Sequence, residues 1–179
     1  AYLSGSLRRG QWALWNPYDD GGYAFYADPQ SGMYYPVTWL FSVVGAFFAS
    51  VPAWLVQVKA LLHHVLAGLL LYAFLRTRKL HPAAAALGGV VWLASVPFII
   101  HKASAVEWPL VWTPLIFIAI DRVVERRAQP GAWRRGAFLA MALALSASAG
   151  NPPGFFYVLL GAVAYGAFRV LPVGVAALR

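Results

Sequence analysis

From Ala53 onward, long apolar runs alternate with short polar clusters. Five runs, at about 53–75, 82–100, 105–123, 132–149 and 154–171, approach the roughly 20 residues a helix needs to cross a bilayer. Each is expected to be α-helical, because hydrocarbon cannot satisfy free backbone N–H and C=O groups. Pro82 suits the first turn of the second run, where its missing N–H costs nothing. Ahead of the runs, residues 37–49 (VTWLFSVVGAFFA) are apolar but short for a crossing, which predicts an interfacial or re-entrant helix broken off by Ser50-Val51-Pro52. The pattern as a whole predicts an all-α, polytopic helical membrane protein. Residues 1–52 form an outer segment, residues 53–171 a five-helix transmembrane region, and residues 172–179 a tail or the start of a further segment.

Composition agrees. Of 179 residues, 61% are hydrophobic and 11% charged, with mean hydropathy +0.64, whereas a soluble domain carries about 25% charged residues. The net charge of +8 does not point to nucleic acid, because the cations sit between apolar runs rather than on one soluble face. Residues 76–81 hold Arg76, Arg78 and Lys79, and residues 121–135 hold Arg122, Arg126, Arg127, Arg134 and Arg135. Lys102 is the sole Lys or Arg between the second and third runs, and Gly150-Asn151-Pro152-Pro153 has none. Rich and poor connections therefore alternate, and the positive-inside bias places the rich ones in the cytoplasm. The opening segment, the His101–Glu107 connection and the Asn151 turn then share the outer face of a bacterial cytoplasmic membrane, with Arg8 and Arg9 as the dissenting cations. Cysteine is absent, so there is no disulfide framework and no thiolate metal site. The first residue is Ala and no signal peptide precedes the opening segment, so the chain is expected to be a fragment of a longer protein.

Ionisable residues at membrane depth are costly and mark candidate sites. Lys59 and His63, four apart, share a helix face. Either Lys59 reaches the headgroups while His63 bonds a neighbouring helix, or the two form a cationic wall facing an anionic group. His63-His64 is a poor metal pair, since adjacent helical residues point about 100° apart. On the outer rim, Asp19, Asp20, Asp28, Gln30, His101, Lys102, Glu107 and Asn151 collect carboxylates beside cations, either as a solvated rim or for general base work with a cation on a leaving phosphate. Asp19-Asp20-Gly21-Gly22 reads as a tight turn. Asp28 is held extended by Pro29 and is flanked by Tyr26, Tyr34 and Tyr35, which suit sugar stacking or an interfacial aromatic belt. Glu107, before Trp108-Pro109, suits a helix entrance, where a carboxylate favours the positive end of the dipole.

Together, Leu14-Trp15-Asn16-Pro17-Tyr18, Gly21-Gly22, Ala27-Asp28-Pro29-Gln30-Ser31-Gly32 and Tyr35-Pro36 resemble the first outer loop of YfhO-type bacterial membrane proteins. The resemblance continues in His64-x-x-Ala67-Gly68 with Tyr72 and Arg76, and in Gly150-Asn151-Pro152 before Phe156-Tyr157. These proteins are similar to C-type glycosyltransferases, which take sugars from polyprenyl-phosphate carriers. The resemblance implies transfer to a glycan or cell-envelope acceptor at the outer face, with inversion at the anomeric carbon. Asp28 is the first candidate for the base, and Asp19 or Asp20 the alternatives should Asp28 orient the sugar instead. Gln30, Tyr35, Lys59, His63, His101, Lys102, Glu107 and Asn151 are the expected binding residues, with a cation against the phosphate. Rim carboxylates could also ligate Mg²⁺ or Mn²⁺. A transporter or flippase of lipid-linked sugars, and a structural membrane subunit, are the competing readings.

Overall fold

The computed structural model describes residues 1–19, 21–95 and 107–177. It is 72% helix with almost no strand. Helix α1 (Tyr2–Arg8) is followed by a two-stranded antiparallel ribbon, β1 (Trp15–Asn16) against β2 (Tyr23–Ala24), then two 3₁₀ turns, Phe25–Ala27 and Pro29–Ser31. The helices α2 (Pro36–Ala46), α3 (Ala53–Thr77), α4 (Pro82–Leu93), α5 (Trp108–Val111), α6 (Thr113–Glu125), α7 (Ala132–Ala147) and α8 (Pro152–Ala177) complete the described elements.

Two helices are long and apolar enough to cross a membrane, α3 and the stretch Pro152–Leu171 of α8. Helix α4 is a shorter apolar helix that ends at Leu93, and residues 96–100 of its expected run lie outside the described residues. The third expected run is not one continuous helix. Pro114 cannot donate a backbone hydrogen bond, and the chain breaks at Trp112 into α5 and α6. Helix α1 was not foreseen by periodicity. Its apolar face closes a small core of Leu3, Ala13, Phe25 and Met33 beneath Trp39 of α2.

The main core lies between the long helices, around Tyr35, Ala67, Val111, Trp112, Ile116 and Val158. Helices α3 and α4 cross closely at glycines, since a Cβ on Gly89 would stand 2.7 Å from the Gly68 carbonyl oxygen. Small residues at a helix crossing let the two backbones approach this closely.

Polar chemistry concentrates at the two ends of this bundle. At one end, the Gly150 turn packs on the Pro29–Gly32 turn, with a Cβ at Gly150 placed 3.4 Å from the Pro29 carbonyl oxygen. At the other end, Asp121 bonds Arg78 at 3.0 Å and Arg169 at 2.5 Å, and Glu125 bonds Arg169 at 2.7 Å. Arg78 lies nineteen residues beyond Lys59 along α3, about 28 Å at 1.5 Å per residue. That separation is close to the thickness of a bilayer core, about 30 Å.

Candidate functional site

The first end gathers most of the described candidate residues. Lys59, in the second turn of α3, donates from Nζ to Thr38 Oγ1 of α2 at 2.9 Å. Its ammonium lies 3.9 Å above the centre of the Trp108 ring. Thr38 and Ser42 are four apart and buried on one face of an otherwise apolar helix, a polar stripe already visible in the sequence. One hydroxyl and one aromatic face hold the ammonium in place, and among the described residues it makes no ion pair with a carboxylate. It lines a cavity of about 270 Å³ together with Gln30, Ser31, Thr38, Ser42 and Trp108.

His63 plays a different part. It is fully buried and stacks on Trp108 with ring centres 4.8 Å apart. Its Nδ1 lies 2.7 Å from the Lys59 carbonyl oxygen and its Nε2 lies 2.9 Å from the Tyr35 hydroxyl. A carbonyl can only accept, so Nδ1 carries hydrogen. The Trp112 indole donates to the Tyr35 oxygen at 3.0 Å, and Tyr35 in turn donates to Nε2. Trp112, Tyr35, His63 and the Lys59 carbonyl thus form one directed chain in which every buried donor has an acceptor. Burial pushes the Tyr35 phenol well above its ordinary value near 10, against a smaller downward pull from the Trp112 indole. Lys59 and His63 share a helix face, but Lys59 lines the cavity while His63 anchors the loop to the helix.

The loop carboxylates are built into turns. Asp28 is extended, with φ −82° and ψ 113°, and its Oδ1 accepts from the Gln30 N–H at 2.8 Å, capping the Pro29–Ser31 turn. The second carboxylate oxygen has no partner within the protein among the described residues. Gln30 reaches the cavity and Asp28 does not line it. The Gly22 N–H closes a turn on the Asp19 carbonyl at 2.8 Å, and Asp19 Oδ2 accepts from Asn16 Nδ2 at 2.8 Å. Asp20, His101 and Lys102 lie outside the described residues. Asn151 is buried, and its Oδ1 caps α8 by accepting from the Gly154 N–H at 2.6 Å. Glu107, at the entrance of α5, is fully buried, and among the described residues neither carboxyl oxygen has a hydrogen-bond partner.

Comparisons with protein-family models, curated proteins and solved structures find no match. A fixed cation over a cavity suits an anionic group, and the hydroxyls of Ser31, Thr38 and Ser42 can donate to its oxygens. Among the described residues no three His, Asp or Glu side chains stand together as metal ligands. The dissenting cation Arg8 has a local task, since its guanidinium donates to the Phe48 carbonyl at 2.9 Å and to that of Ala49 at 2.5 Å, tying α1 to the end of α2. Sequence reasoning missed Trp108 and Trp112 as the residues that hold Lys59 and Tyr35. An aromatic near a helix entrance carries no mark of which side chain will cross it.

Proposed function

We propose that this chain is part of a polytopic bacterial membrane enzyme that transfers a sugar from a polyprenyl-phosphate carrier to an acceptor at the outer face. The observation that carries the reading is Lys59, a cation held by Thr38 and Trp108 above a cavity. Membrane insertion is supported by surface character. Only 22% and 17% of the most apolar stretches of the two long helices are buried, and their exposed residues include Leu61, Val65, Leu69, Phe156, Leu160 and Phe168. The core helix of a soluble protein would hide such a surface.

In this reading the carrier phosphate sits against Lys59. The bond from the anomeric carbon to the phosphate oxygen breaks, and the electron pair leaves with the phosphate, whose charge Lys59 stabilises. The acceptor oxygen forms the new bond from the opposite side, and its proton passes to the carboxylate of Asp28. A carboxylate accepts that proton only as bond formation acidifies the hydroxyl, so position outweighs basicity. The Asp28 oxygen left without a partner is the atom available for it, while the other holds the turn.

The test is sugar transfer by the protein in its native membrane. Asn caps a turn much as Asp does, so Asp28→Asn should keep expression and carrier binding while abolishing transfer. Lys59→Ala should weaken carrier binding. Undiminished transfer by Asp28→Asn, combined with lost transbilayer movement in Lys59→Ala or His63→Ala, would instead establish a carrier of lipid-linked sugars. Tolerance of all three changes would leave a structural subunit.

A further inference from the structure

The end of the bundle opposite Lys59 holds a second cavity, of about 260 Å³, between the end of α3 and the last turns of α6. Arg78, Asp121, Arg122, Glu125 and Arg126 line it. The two carboxylates are already engaged. Asp121 is taken by Arg78, Arg169 and the Tyr165 hydroxyl, the last at 2.9 Å. Glu125 is taken by Arg169 at 2.7 Å and Arg78 at 3.6 Å. Arg122 and Arg126 have no carboxylate among the described residues. They stand four apart on α6 and its C-terminal cap, so they share a face. The Arg122 guanidinium carbon lies 4.7 Å from the centre of the Phe138 ring, a contact that uses none of its N–H donors.

The charge count of this corner is uneven. Arg78, Arg122, Arg126 and Arg169 face Asp121 and Glu125, four positive charges against two negative, with the surplus on the two unpaired arginines. Two guanidinium forks beside a polar cavity match the oxygens of a phosphate group, which they can bind bidentately. We propose that this cavity is a phosphate subsite filled by the headgroup of an anionic phospholipid. The lipid source rests on the membrane reading above. There the cation-rich end lies on the cytoplasmic side, where basic pockets between helices meet anionic headgroups. The phosphate chemistry itself does not rest on that reading.

The experiment reconstitutes the protein in nanodiscs of phosphatidylcholine with added phosphatidylglycerol and measures which lipid is retained on extraction. Flotation with vesicles reads insertion separately. Retention of phosphatidylglycerol should exceed that of phosphatidylcholine, and the pair Arg122→Gln and Arg126→Gln, which removes both guanidinium forks from the cavity, should bring the two close to parity. The pair Arg127→Gln and Arg134→Gln removes the same charge outside the cavity and should leave the preference in place. An equal loss in both pairs would reduce the effect to general surface charge and overturn the subsite. A titration with inorganic phosphate in detergent tests the subsite even if the chain fails to insert. Phosphate binding that depends on Arg122 and Arg126, without any lipid preference, would replace the lipid by a soluble phosphate source. Absence of both effects overturns the proposal.

Discussion

Lys59 shows how one residue acquires a role from its neighbours. Thr38 and Trp108 hold its ammonium from two directions, which lowers the entropy lost when an anion binds. Lys59→Arg keeps the charge, but the broad planar fork cannot reproduce a point contact between one hydroxyl and one ring face. If Lys59 holds the carrier phosphate as proposed, Lys59→Arg should recover only part of the affinity lost in Lys59→Ala, measured as binding of a polyprenyl phosphate in detergent. Tyr35 gives a pH prediction. Its proton is held more tightly in the folded state, so above pH 10 the unfolded chain loses that proton first. The contribution is therefore fully present below about pH 10 and fades as pH rises beyond it. Alkaline thermal melts should show this loss, and Tyr35→Phe should blunt its slope while costing about 1 kcal/mol or more by leaving the Trp112 indole without its acceptor.

At the scale of elements, the contact between α3 and α4 depends on two glycines. A Cβ at Gly89 would meet the Gly68 carbonyl oxygen at 2.7 Å, a backbone atom that cannot rotate away. Gly89→Val should push the helices apart at a cost of about 1–3 kcal/mol, read as a fall in melting temperature in detergent. Gly136 has open space around its missing Cβ, and Gly136→Ala should be neutral or slightly stabilising on helix propensity. Much at this scale was legible beforehand. Helix α3 begins and ends within two residues of the expected 53–75 run, and α7 begins at the expected residue. The break at Trp112 and the helix α1 were not legible. A seven-residue helix has too few turns to show a period, and its stability comes from packing on Phe25 and Met33 rather than from its own sequence.

For the whole molecule, the ion cluster joins α3, α6 and α8 at the end opposite Lys59. Asp121 is buried to 5% exposure among Arg78, Arg169 and Tyr165. Removing it leaves Arg78 and Arg169 with Glu125 as their remaining carboxylate and takes the acceptor from Tyr165, so Asp121→Ala should destabilise the chain by about 1–3 kcal/mol, seen as early unfolding in a thermal series. The proposed orientation is open to a direct test because the chain has no cysteine. Single cysteines at Ser31 and at Arg127 should react from opposite sides of the membrane with an impermeant thiol reagent. Labelling of both from one side would overturn the alternating arrangement.

The sequence by itself determined the helical character, the positions of the long apolar helices and the gathering of cations in two connections. These follow from local composition and from the energy of polar groups in an apolar medium. It also marked Asp28, Lys59 and Asn151 as residues out of keeping with their surroundings. Only the tertiary structure decided what each of them touches. Asp28 and Asn151 are turn and helix caps, Lys59 faces a cavity, and His63 one turn later binds the loop through Tyr35. These assignments depend on residues brought together from distant parts of the chain, Thr38, Trp108 and Trp112 among them. No spacing along the sequence encodes which side chain will meet which across a packed interface.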